Sequence, residues 1–268
     1  MDPATLIGFV ISMAALLAFM VMEGSDPTSL IFLPAIVLVL VATFGAAMSS
    51  QTMDDLKKLP AWFKMSLMPA KVPPATQQIQ TLVSLAEKAR KEGLLALEAQ
   101  VKAIEDPFLK RGLQMGIDGT DPEELRGVLE SEIAAKKAED KVAAKFMTTM
   151  GGYAPTIGIV GCIVGLMNVM ANLTNPSSLG PMIAAAFIAT LYGIGSANVV
   201  FYPIANRLGV LSREEQQLRT MVIEGVMAVQ AGENPRLISD RLLTFLPPGD
   251  RDKDAKSSDD GPALAEAA

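Results

Sequence analysis

Hydrogen-bonding side chains interrupt the two longest apolar runs of this sequence, among them Thr148, Thr149, Asn168, Asn172, Thr190, Tyr192, Ser196 and Asn198. Pro155 and Pro203 lie in the same runs, as does the only cysteine, Cys162. Hydroxyls and amides can line a polar path, and a proline frees a helical carbonyl by removing the donor one turn later. A group that could bind and release an ion is missing, because no Asp, Glu, Lys or Arg occurs from 146 to 206 and the chain has no histidine. Ion pathways in membranes use intramembrane carboxylates or histidines. An ion moving along these helices therefore needs a titrating group from another subunit. Each threonine alone also fits a simpler role, bonding back to its own helix.

Glycine spacing adds a packing motif. Gly161 and Gly165 form GxxxG, and Gly158 with Cys162 forms a second small-xxx-small pair, which lets helices approach closely in lipid. A charged cluster stands outside the apolar runs, in ARKEGLLALE, with Arg90, Lys91, Glu92 and Glu98. Exposed opposite charges suit weak, repeatedly broken contacts; a solvated helix face is the other reading. With no histidine, no metal-ligand cluster and no nucleophile beside a base, the sequence holds no constellation for covalent catalysis, and neither an enzyme, a metal nor a cofactor is expected.

The elements that must position these residues are helices. Four apolar runs, Ala4–Met22, Leu30–Met48, Phe146–Leu173 and Leu179–Ala205, meet the need for roughly 20 apolar residues per membrane crossing. They predict an all-α membrane protein of four transmembrane helices, with a cytoplasmic helical insertion between spans 2 and 3 and with spans 3 and 4 extending into the cytoplasm. The start MDPATLIGF carries no basic residue, so the first run reads as a span and not as a cleaved leader. The single cysteine allows no internal disulfide.

Basic residues set the orientation. Of 23 Lys and Arg, fifteen lie in 50–145, eight in 207–268 and none elsewhere, which places both segments and both termini in the cytoplasm. The formal charge of −6 leaves no basic footprint for nucleic acid. Five regions follow: a transmembrane hairpin (1–49), a cytoplasmic helical region (50–145), spans 3 and 4 (146–206), a second cytoplasmic helical region (207–246) and a disordered acidic tail (247–268).

Local signals refine the regions. Gly24, Asp26 and Pro27 mark the first turn, and Pro34 predicts a kink early in the second span. PAKVPPA at 69–75 breaks the insertion, after which Ile79, Leu82, Val83, Leu85, Ala86 and Ala89 recur at helical spacing up to an interruption near Gly93. Thr120 or Asp121, followed by Pro122, Glu123 and Glu124, predicts the start of one long helix running into the third span. The fourth run continues as a helix to Gly232.

With these residues in view, APTIGIVGCIVGLM, LGPMIAAAFIATLYGIGSANVVFYPIANRL, VMAVQAGENPRLISDRL and AEKARKEGLLALE resemble the MotA and PomA family of flagellar stator subunits, from the N-terminus to about Leu246. The related TolQ and ExbB proteins, energisers of envelope proteins, share the pattern of the last two runs but have three spans, and they are the alternative reading.

The resemblance implies a multi-pass protein of the bacterial inner membrane. Five copies would surround two copies of a single-span partner of MotB type, whose membrane aspartate binds the ion, and would push on a flagellar rotor switch protein. It implies that Pro155 and Pro203 lie near that aspartate, that Thr190 lines the ion site, that the glycines pack around the partner helices, and that Arg90 and Glu98, with Lys91 and Glu92, engage the rotor. Sodium-driven members carry a threonine where this chain has Cys162, and a thiol is a poor ligand for hard cations. The expected ion is the proton.

Overall fold

A computed structural model describes residues 3–67 and 74–249. Helices α1 (Pro3–Met22) and α2 (Leu33–Met48) are joined through Gly24, at φ +73°, and a 3₁₀ turn, Pro27–Leu30. Asp26 caps that turn by accepting the Thr28 N–H at 2.9 Å, which holds its carboxyl below the ordinary carboxylate range. There follow α3 (Met53–Lys57), α4 (Leu59–Leu67), α5 (Ala75–Glu92), α6 (Glu98–Ala103), α7 (Pro107–Ile117), α8 (Pro122–Ala171), α9 (Pro176–Gly195), α10 (Tyr202–Gln230) and α11 (Pro235–Leu243). Between α9 and α10 the chain widens into π-helix over Ser196–Phe201. No strand occurs among the described residues.

The described residues of Met1–Ala70 and Ala138–Leu211 form one compact unit, and those of Lys71–Lys137 and Ser212–Ala268 a second. In the first unit α2 buries Ala35, Val39, Thr43 and Ala47, four residues apart on one face. Trp62 of α4 is buried beside Phe146, ring centroids 6.4 Å apart. Lys58, just before α4, ties to Glu139 at 2.7 Å, so the stretch 53–67 clusters with the apolar helices.

The second unit has a core of large side chains. Ile79, Leu82 and Leu85 of α5 meet Phe108 and Leu113 of α7 and Val226 of α10 in one buried cluster. A fully buried side chain of this size contributes about 1.5–3 kcal/mol. The Arg219 guanidinium lies over the Phe108 ring at 4.9 Å.

Several sequence signals reach the structure directly. Asp121 caps α8, accepting the Glu123 N–H at 2.9 Å, and α8 then runs unbroken for 50 residues. Gly93 and Gly232, at φ +83° and +67°, end α5 and α10. Pro34 differs: it occupies the first turn of α2, where a missing N–H costs nothing, so it starts the helix and does not kink it. Two helical stretches, Pro122–Ala171 and Pro176–Gln230, are long and apolar enough to cross a membrane, while Ile7–Met22 and Leu33–Met48 are shorter apolar helices. Most of the PAKVPPA break, and the acidic tail from Asp250, lie outside the described residues.

Candidate functional site

Of the polar residues in the apolar runs, Thr190 lies where α8 crosses α9, while Thr148, Thr149, Asn172 and Asn198 donate to carbonyls four residues earlier in their own helices. Pro155 lies inside α8, and its missing N–H leaves the Gly151 carbonyl without its helical donor. Three residues on, Gly158 faces α9 so closely that a methyl group there would lie 2.8 Å from the Ala189 carbonyl oxygen and 3.2 Å from the Thr190 Cα. Gly193 returns the contact, with 2.6 Å from an added methyl to the Ala154 carbonyl oxygen and 3.2 Å to the Pro155 Cα. Backbone meets backbone here.

Thr190 sits at this crossing, half-buried, and its hydroxyl donates across the helices to the Gly158 carbonyl at 3.4 Å. Gly165 abuts Ala186, and Gly161 abuts Ala189 and Leu38 of α2. The resemblance implies that these glycines pack around a partner's helices. Within the chain they are occupied by its own α9 and α2, because Ala186, Ala189 and Gly193 present an equally small stripe at three- and four-residue spacing.

Cys162 is half-buried and Pro203 exposed. Pro203 follows the π-helix one residue on, after Tyr202, and the wider turn loosens the backbone where the proline ring would crowd the preceding turn. Two further contacts and one orphaned hydroxyl stand beside these. Gly151 faces the Tyr202 ring, 2.8 Å from an added methyl, and the Tyr192 hydroxyl donates to the Leu30 carbonyl at 2.6 Å. Thr43 is fully buried with its hydroxyl unpaired. The small stripe on α9 was readable in AAAFIATLYG; the reach of Tyr192 to a loop 162 positions away was not.

On the second unit, Arg90, Lys91 and Glu92 form the exposed last turn of α5, and Glu98 opens α6 beyond the Gly93 turn. Glu98 accepts from Lys102, one turn along, at 2.8 Å, and this bond lowers its pKa from the ordinary carboxylate value. Its ion-pair partner is thus Lys102, while Arg90 makes no ion pair among the described residues. No group of His, Cys, Asp and Glu that could hold a metal occurs among the described residues.

The MotA/TolQ/ExbB proton channel family matches over residues 100–221. A curated relative, motility protein A of Bacillus subtilis, is 36% identical over 97% of this chain and 96% of its own. Among solved structures, the flagellar MotAB stator complex of Bacillus subtilis aligns with a TM-score of 0.88 at 36% identity, covering 93% of this chain and 98% of that one. The C. jejuni MotAB structure aligns with a TM-score of 0.89 at 29% identity, over 92% and 97%.

Proposed function

The chain belongs to the motility protein A family, a branch of the MotA/TolQ/ExbB proton channel family, and from that membership we propose that it is the torque-generating subunit of a flagellar stator. One observation carries the reading: nearly the whole of this chain aligns with nearly the whole of a subunit from a flagellar stator complex. The family name spans envelope energisers as well, but the motility protein A chains of Bacillus subtilis and Borreliella burgdorferi each match over 96% of their own length.

In this reading the protein crosses the bacterial inner membrane four times, α1 and α2 supplying the first hairpin and the apolar parts of α8 and α9–α10 the second. Five copies surround two single-span partners of MotB type. The partner's aspartate supplies the titrating group that residues 146–206 lack. A proton arriving from outside neutralises that aspartate. Its charge no longer has to be solvated by nearby dipoles, and the helices around it relax. Thr190 and the carbonyl freed by Pro155 offer polar contacts on the path, and Pro203 with the π-helix offers a backbone able to adjust. The movement reaches the rotor switch protein through Arg90 and Glu98, with Lys91 and Glu92 beside them.

Deleting the gene and recording tethered-cell rotation, with filaments counted by microscopy, tests the reading. Paralysed cells with normal filaments, restored by the gene, are the expected outcome; rotation undiminished in a strain with no second stator would overturn it. Exchanging sodium for potassium should leave speed unchanged, whereas arrest would identify sodium as the coupling ion.

A further inference from the structure

The α5–α6 corner carries a feature that its charges do not explain. Gly93, at φ +83°, stops α5 and redirects the chain into a 3₁₀ turn, Leu94–Leu97. Within that turn Leu97 is fully buried and Leu94 packs against the same core, while Leu95 projects outward with 76% of its surface exposed. It is the most exposed large apolar side chain described in the second unit, ahead of Leu237 and Phe245. A lone exposed leucine is ordinary on a surface. This one is held out by a left-handed glycine and flanked in sequence by exposed Arg90, Lys91, Glu92 and Glu98.

An exposed apolar side chain with exposed charges on both sides of it in sequence suits an interface anchor, where the apolar group supplies affinity and charged neighbours supply register. Glu98 is already engaged by Lys102, whereas Arg90 and Lys91 make no ion pair among the described residues. Those two cations outweigh the single charge of Glu92.

We infer that Leu95 is the apolar anchor of the rotor contact, entering a pocket on the rotor switch protein that is flanked by acidic side chains facing Arg90 and Lys91. The inference rests on the stator reading and adds to it the residue that supplies affinity. Charges alone attract at long range but slip in salt; a leucine seated at each step resists slipping under load. Its contact is short-ranged, so it releases once displaced.

The test places a photo-crosslinking residue at position 95 of the full chain, assembled with its partner subunit in cells, and separately measures stall torque for Leu95→Ser and Leu95→Met. The inference expects an adduct to the rotor protein, about a ten-fold loss of engagement for Leu95→Ser with membrane levels and ion leak unchanged, and near-normal torque for Leu95→Met. An adduct only to a second copy of this chain would overturn it, as would full torque in Leu95→Ser. If Arg90→Glu with Glu98→Lys abolishes torque while Leu95→Ser does not, the anchor fails and the stator reading stands. Normal torque in both variants removes the rotor-facing assignment as a whole.

Discussion

Gly158 and Gly225 both occupy close contacts, yet they answer to different solvents. At Gly158 the obstacles to a side chain are the Ala189 carbonyl and the Gly193 and Thr190 backbones. At Gly225 the obstacle is a side chain, Leu82, whose Cδ1 lies 2.5 Å from an added methyl. Between lipid-embedded helices no hydrophobic force pulls apolar surfaces together, so stability comes from how closely backbones approach. In the water-facing unit burial of large side chains drives association, and glycine only makes room for one of them. The same residue is a spacer for backbone in one unit and for leucine in the other.

The sharpest way to break this comparison is Gly158→Ala. Two helix backbones cannot yield locally, so the variant should lose about 3 kcal/mol, the upper range for overpacking. Chemical unfolding of the detergent-solubilised protein measures it, together with recovery of the assembled complex by size exclusion. A loss under about 1 kcal/mol would mean that α8 and α9 slide apart freely and that backbone approach is not what holds them.

Gly225→Ala should cost less, about 2 kcal/mol, because a leucine end can rotate even when its surroundings are full. The two-residue test is stricter. Leu82→Val removes a methylene from a fully buried side chain and destabilises by itself, but combined with Gly225→Ala the loss should fall short of the sum. Strict additivity would show that the two residues do not compete for one space.

Tyr192→Phe comes next, at about 1 kcal/mol, the net worth of its hydrogen bond. The Leu30 carbonyl keeps the Phe32 N–H at 2.8 Å but loses its bond to α9, which loosens the α1–α2 turn against that helix without disturbing the Gly158 crossing. Proteolytic susceptibility of residues 23–32 in the otherwise intact protein measures this.

Signals that depend on neighbours in sequence were legible. Asp121 with Pro122 marks the start of α8, and Gly93 and Gly232 mark helix ends, since capping and left-handed turns are decided within a few residues. The helical stripe of α5 was readable for the same reason. Pro34 was misread because a proline looks alike in a first turn and in a helix interior; only the helix boundary at Leu33 separates the two. The glycine stripe differs too: the resemblance assigns it to a partner's helices, while within the chain it packs on α9 and α2. GxxxG states that something small comes close and not which helix it is, and the Ala186, Ala189 and Gly193 stripe settles that within the chain. Trp62 went unnoticed because its partner Phe146 lies far along the sequence.

The smallest expected effect concerns Lys102, and it bears on the water-facing side of the comparison. Lys102 lowers the Glu98 pKa by a hydrogen bond and by its charge, but both side chains are largely exposed. A carboxylate whose folded pKa is depressed contributes stability above its ordinary range and loses that contribution as pH falls through the folded value. Solvent and salt screen an exposed pair, so Lys102→Met should leave thermal stability at neutral pH unchanged while the Glu98 titration, followed by side-chain carboxyl NMR, moves up toward the ordinary value. At neutral pH Glu98 stays ionised in either form and becomes freer to meet a cation on a partner. Torque in Lys102→Met should therefore hold steady or rise modestly at low ionic strength. A loss of torque there would mean that the Glu98–Lys102 pair, held as a unit, is what the rotor recognises, and that the water-facing side depends on fixed geometry as the α8–α9 crossing does.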